Sequence, residues 1–252
     1  MIKLITVIHT VRIATVQTFL LLTFIRKDLS MYIHINRQIL FYEKTGEGPP
    51  LLLLHGNGED HTIFDVLIPL LSQTHTVYAI DSRGHGASNP TDEYSYAGMA
   101  EDIEQLITSL EIRSPILYGF SDGGIIGLLL AICYPGLISR LIISGANLHP
   151  HGMKRTVLHK IKQHYKKSGN PLELLMLEEP DIPPSALTKI HIPVLVLAGE
   201  HDIIKTSHTR LIAEKLPHAL LAIVPGEDHG SYIIHSDKLY PYIRDFICQE
   251  SP

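Results

Sequence analysis

A serine that is to act as a nucleophile at neutral pH needs a base within hydrogen-bond reach, an acid to orient that base, and donors for the oxyanion it creates. The stretch Gly119-Phe120-Ser121-Asp122-Gly123 matches G-x-S-x-G and lies between an apolar strand-like run and a helix-like one, the context that this pattern requires. Glycines two residues either side fit, because side chains there would clash where the chain reverses around a strained serine. A glycine-rich turn with an incidental serine is the plainer alternative.

The oxyanion donors should be the backbone N–H after the serine and another from a loop following an earlier buried strand. His55-Gly56-Asn57-Gly58 follows Leu51–Leu54, so the expected donors are the N–H groups of Asn57 and Asp122; a tight turn with no ligand would look the same. Acid and base should come later, in that order, at the carboxyl ends of strands. Asp202 in "AGEHD" and His229 in "PGEDHG" satisfy this, ahead of the competing acids Glu200 and Asp228. His235 competes with His229 but falls inside the expected last helix. Asp122 admits two readings: an acid that benefits from a helix N-terminus, or a substrate-binding carboxylate that pairs with a cationic amine. No H-E-x-x-H or C-x-x-C pattern is present among the 16 histidines and two cysteines, so no metal is expected. His149 and His151 read as loop residues.

These side chains need a scaffold of alternating strands and helices. Met31–Ile35 and Gln38–Lys44 read as two strands joined at Asn36 and Arg37. Leu51–Leu54 has the continuous apolar character of a strand buried on both faces. Helices are expected at about 62–71, 95–110, 122–134, 205–216 and 232–248. Strands are expected at Thr76–Ile80, Pro115–Phe120, "ISRLIISG", Ile192–Gly199 and Ala219–Gly226. That alternation predicts a mostly parallel sheet with helices on both faces, an α/β fold. Residues 147–185 break the rhythm: "KRTVLHKIKQHYKK" sets Val157, Ile161 and Tyr165 at helical spacing and holds six Lys and Arg with no acid, as an insertion over the sheet would. Its lysines could steer anions toward a cleft, or simply form a solvated face.

At 252 residues the chain fits one α/β domain, with 45% hydrophobic and 19% charged residues, too apolar for disorder. A net charge of −5 leaves no nucleic-acid footprint and favours a small-molecule partner. Cys133 and Cys248 form neither a disulfide framework nor a zinc spacing, which fits a reducing, cytoplasmic setting. Residues 1–30 differ in character from the rest of the chain: Phe19–Ile25 is too short to span a bilayer, and a longer segment admits His9, Arg12 and Gln17. They are expected to be an extension outside the fold, with the working domain, 31–252, beginning near Met31. No stable membrane span is expected.

The motifs "HGNGED", "DSRGHGAS", "GFSDGG", "GEHD" and "GEDHG", in this order, resemble the α/β-hydrolase superfamily over nearly the whole of Met31–Cys248. Within it, "GFSDGGIIGLLLAICYPGLISRLIISGAN" is similar to the biphenyl-hydrolase-like branch, which includes enzymes acting on amino-acid esters. The resemblance implies the α/β-hydrolase fold, an eight-stranded sheet whose second strand is antiparallel, and a short helical cap at 147–185. It also implies Ser121, Asp202 and His229 as a triad and "DSRGHG" as a loop near the site, where Asp81 and Arg83 tie loops together. The implied activity is cofactor-free hydrolysis of a small carboxylic ester through an acyl-enzyme. Thioester hydrolysis, carbon–carbon hydrolysis and perhydrolysis remain open on the same three residues. So does a ligand-binding or sensory protein with residual hydrolysis.

Overall fold

The four leucines of Leu51–Leu54 have no accessible surface at all, as their unbroken apolar run requires of a strand covered on both sides. The computed structural model, which describes residues 29–249, places them in β3 (Pro50–Leu54) at the middle of the sheet. Ahead of it, β1 (Leu29–Ile35) and β2 (Gln38–Thr45) form a hairpin. Asn36 and Arg37, the two linking residues, have φ of 46° and 63°, the left-handed pair that matches a two-residue turn to strand twist. The remaining strands are β4 (Thr76–Ile80), β5 (Ile116–Phe120), β6 (Arg140–Ser144), β7 (Val194–Gly199) and β8 (Ala219–Val224). Their order is β1-β2-β4-β3-β5-β6-β7-β8, with β2 antiparallel to both neighbours and every other adjacent pair parallel. This is the expected α/β-hydrolase fold.

Alternation along the central strands divides the core in two. Leu52, Leu54, Leu117 and Ile143 face one layer, and Leu51, Leu53, Tyr118 and Ile142 face the other. The α-helices among the described residues are α1 (Ile68–Leu71), α2 (Tyr96–Ser109), α3 (Asp122–Cys133), α4 (Arg155–Ser168), α5 (Pro171–Glu178), α6 (Thr206–Lys215) and α7 (Tyr240–Ile247). The expected helix at 95–110 is α2, whose cap Ser95 accepts from the Gly98 N–H at 3.1 Å.

Two expected helices are shorter. The segment 62–71 splits into a 3-10 turn at His61–Phe64 and α1, and the segment 232–248 keeps only α7. Pro69 and Pro241 explain both: each sits in the first turn of its helix, where no donor is missed, whereas a longer helix would enclose it and lose a bond. His235 therefore lies outside a helix, with φ 50°. It is tied to the 3-10 turn through its N–H to Ile63 O (2.8 Å) and its Nδ1 beside Asp65 (2.8 Å), away from Ser121.

The 147–185 segment lies between β6 and β7 and contributes α4 and α5. Helix α4 buries no residue and exposes all six of its Lys and Arg, counting its cap Lys154, whereas α5 docks through buried Leu175. The loop after β4 is pinned from inside. Arg83 makes a two-pronged ion pair with Asp102 (2.7 and 2.8 Å), and Asp81 accepts from the His61 and Ala87 N–H groups, each at 2.8 Å. Among the described residues no helix is long and apolar enough to cross a membrane, and Cys133 and Cys248 are free and exposed. Strand β1 begins at Leu29, two residues ahead of Met31; the expectations for residues 1–28 lie outside the described residues.

His208 on α6 is buried, and its Nε2 accepts the Leu148 N–H at 2.9 Å. Burial, then His149 and Lys205, lower its pKa from 6.5 to about 4. Between those two values the unfolded chain takes up a proton that the folded chain refuses, so stability falls as pH falls, by up to about 1.4 kcal/mol per pH unit. His208→Gln is expected to flatten urea-unfolding stability between pH 6.5 and 4. An unchanged slope would show that this imidazole binds protons alike in the folded and unfolded chain.

Candidate active site

Ser121 is the joint between β5 and α3, and the turn is tight enough to force φ 51°, ψ −111° on a residue with a side chain. Such a conformation costs about 1–3 kcal/mol. The flanking glycines make room for it: a Cβ on Gly119 would strike the Gly123 carbonyl, and one on Gly123 would strike the Leu54 carbonyl. The Ser121 N–H donates to Ser144 O at 2.8 Å and the Gly123 N–H to His55 O at 3.1 Å, which fixes the turn against β6 and the β3 loop.

Asp202 follows β7 and is 2% exposed through its side chain. Its Oδ1 accepts the Ile204 N–H at 2.8 Å and lies 2.7 Å from His229 Nδ1. That contact places the imidazole proton on Nδ1 and leaves Nε2 with a free lone pair. Nε2 lies 3.1 Å from Ser121 Oγ. The imidazole packs on Phe120, ring centroids 4.9 Å apart, so its orientation is held from two sides. The three side chains that sequence order selected thus meet in one line at the carboxyl edge of the sheet. The rejected acids are employed elsewhere: Glu200 accepts the Gly226 N–H at 2.8 Å, and Asp228 those of Gly230 and Ser231 at 3.0 and 2.9 Å.

Neither the Asn57 N–H nor the Asp122 N–H donates to a protein acceptor among the described residues, so both are available to an oxyanion. The Asp122 carboxylate is buried, its Oδ1 accepting from Tyr96 OH at 2.8 Å and its Oδ2 from Asn57 Nδ2 at 2.9 Å. Burial raises its pKa, opposed by the Asn57 and Tyr96 donors. No Lys or Arg pairs with it among the described residues, which leaves a buried acid beside the serine with neutral partners only. Asn57 Nδ2 also reaches Leu172 O of α5 at 3.2 Å, and the Tyr96 N–H donates to Glu179 at 3.0 Å. Both donors to Asp122 are therefore tied to the ends of α5.

Sequence reasoning missed Tyr96, Glu59 and Gly145. Tyr96 belongs to no motif and reaches the site only because α2 packs beside α3. Glu59 was visible in "HGNGED", and its Oε2 accepts the Gly56 N–H at 2.9 Å. Gly145 was visible as the glycine ending "LIISG"; with φ 63°, it lies where a Cβ would be 2.6 Å from His229 Cε1. Asp60, His61 and Asp81 bring possible ligand atoms within 4.8 Å of one another. Asp60 Oδ1 accepts from Thr62, and the two oxygens of Asp81 accept from the His61 and Ala87 N–H groups, in keeping with the loop-tying role. A cavity of about 720 Å³ opens between α4 and α5, lined in part by Leu158, Lys162, Tyr165, Leu174 and Leu177. Ser121, Asp202 and His229 do not line it.

A family model described as the alpha/beta hydrolase fold matches residues 49–170. Human "Serine hydrolase BPHL" is 28% identical over 250 residues, covering 86% of this chain and 86% of that protein. Its mouse counterpart is 27% identical over 268 residues, covering 94% and 92%. Among solved structures, a thermophilic esterase from Thermogutta terrifontis superposes with a TM-score of 0.74 at 21% identity, covering 87% of this chain and 98% of that one; this likeness speaks to the fold.

Gly145→Ala is expected to push the His229 ring out of line and lower kcat at least about 10²-fold, since roughly 1 Å of misplacement has that effect. Circular dichroism should show the fold retained. Full activity in this variant would mean that the ring position is not set by Gly145.

Proposed function

We propose that the chain is an α/β hydrolase of the serine-hydrolase type that cleaves a small carboxylic ester by acyl transfer through Ser121. His229 Nε2 takes the hydroxyl proton as Oγ bonds to the ester carbonyl carbon. The carbonyl oxygen becomes an oxyanion that accepts from the Asn57 and Asp122 N–H groups. The tetrahedral adduct then collapses, the carbon–oxygen bond to the alcohol breaks, and the His229 proton leaves with the alcohol. Water repeats the sequence on the acyl-enzyme and restores Ser121. Asp202 holds the imidazole tautomer and stabilises the imidazolium. The steps use the chain's own residues, a substrate and water.

The observation that carries this reading is the line of contacts from Asp202 through His229 to Ser121, 2.7 and 3.1 Å long, ending on a strained residue that has no other local role. The human and mouse relatives named serine hydrolases point the same way. On the same reading, 147–185 is the cap over the pocket. Asp122 favours esters bearing an α-ammonium group, because a buried carboxylate with only neutral partners gains most from a cation.

Ser121→Ala is expected to lower kcat/KM by about 10⁴-fold or more. It should also abolish both the burst of alcohol from an activated ester and labelling by a fluorophosphonate; a binding protein would show neither burst nor label even in the wild type. Asp122→Asn should lower the preference for an aminoacyl ester over its deaminated analogue by roughly 10- to 100-fold. Equal losses on the two esters would remove Asp122 from amine recognition.

A further inference from the structure

Two carboxylates, Asp122 and Glu59, lie near Ser121, and they are committed differently. Both oxygens of Asp122 already accept hydrogen bonds, from Tyr96 and Asn57. Only Oε2 of Glu59 is engaged, by the Gly56 N–H at 2.9 Å; Oε1 has no hydrogen bond among the described residues. A methyl placed on Gly56 would lie 2.7 Å from Glu59 Oε2 and 3.2 Å from Ser121 Cβ. The Glu59 carboxylate is therefore on the serine side of the oxyanion loop. It is half-buried, and no Lys or Arg pairs with it among the described residues.

Each Asp122 oxygen keeps one acceptor site, but Tyr96 and Asn57 fix where the carboxylate points, and an ammonium that drew it off Asn57 would loosen the oxyanion loop. Glu59 has an oxygen to offer without giving up anything. We propose that Glu59 is a specificity-determining residue whose Oε1 accepts directly from the substrate ammonium, with Asp122 behind it as a fixed buried charge. This deepens the ester-hydrolase reading and rests on it. Two acids near one another without a cation repel, and a bound ammonium relieves that repulsion. Consistent with this, burial raises the Glu59 pKa, the Gly56 N–H and His229 oppose that, and Asp122 and Asp60 add to the rise.

The test compares the full chain as wild type, Glu59→Gln and Asp122→Asn on phenylalanine ethyl ester and its deaminated analogue, ethyl 3-phenylpropionate. The quantity read is the ratio of the two kcat/KM values. Glutamine keeps an acceptor for the Gly56 N–H but loses the charge, so the ratio should fall about tenfold, mainly through KM for the amino ester. A role confined to holding the loop would slow both esters alike and leave the ratio unchanged. That result, with Asp122→Asn still lowering the ratio, overturns the assignment of Glu59 and spares the ester-hydrolase reading. Failure of the wild type to turn over either ester overturns both. Glu59→Lys provides a second check: preference should shift toward an ester carrying a free carboxylate, and an unshifted preference counts against Glu59.

Discussion

The backward turn of the chain at Ser121 is the constraint on which the rest depends. A strand buried on every side, β5, passes into α3 with one residue between them, and that residue must adopt φ 51°. The local cost, about 1–3 kcal/mol, is offset by the burial of the two elements it joins, whose apolar residues fill both halves of the core. The geometry that strains the serine also sets its Oγ 3.1 Å from His229 Nε2 and leaves the Asp122 N–H without a protein acceptor among the described residues. Neither neighbour glycine can acquire a side chain without striking a carbonyl. The turn is thus a property of the backbone packing, and the serine is the residue that uses it.

Charge around the site is unevenly placed. Asp202 is matched to His229, but Asp122 and Glu59 have only neutral hydrogen-bond partners. The positive charge of the 147–185 segment is carried outward by α4, where solvent screens it. Close to Ser121 the unpaired acids are Asp122 and Glu59, whereas the lysines of the conspicuous basic helix are exposed, Lys162 lining a cavity that Ser121 does not reach. On the proposed ester-hydrolase reading, this favours a cationic substrate over the anionic one that the basic helix alone would suggest.

The oxyanion loop, the buried acid and α5 share the same few hydrogen bonds. Asn57 bridges Asp122 and Leu172, while Tyr96 bonds Asp122 through its hydroxyl and Glu179 through its N–H. A shift of α5 would be felt by both donors to Asp122 at once. The position of α5 and the hydrogen-bond geometry near the serine are accordingly parts of one network.

The sequence by itself determined the fold and picked out the three side chains, Ser121, Asp202 and His229, that the fold brings together. Apolar runs of strand length alternating with amphipathic ones leave few topologies, and G-x-S-x-G, Asp202 and His229 each sit directly after such a run, where the chain exits the sheet. It misjudged helix extents at 62–71 and 232–248, where Pro69 and Pro241 restart the helices late. The tertiary structure alone decided the surroundings of the serine. Tyr96 carries no local signal, and Glu59 and Gly145, although visible in their motifs, carry none of what they meet: a hydroxyl on α2 meets a carboxylate on α3, a loop acid folds back on Gly56 near the serine, and a glycine leaves room for a ring 84 positions later. Periodicity reports which face of an element is buried; it holds no information on which atom of another element waits there.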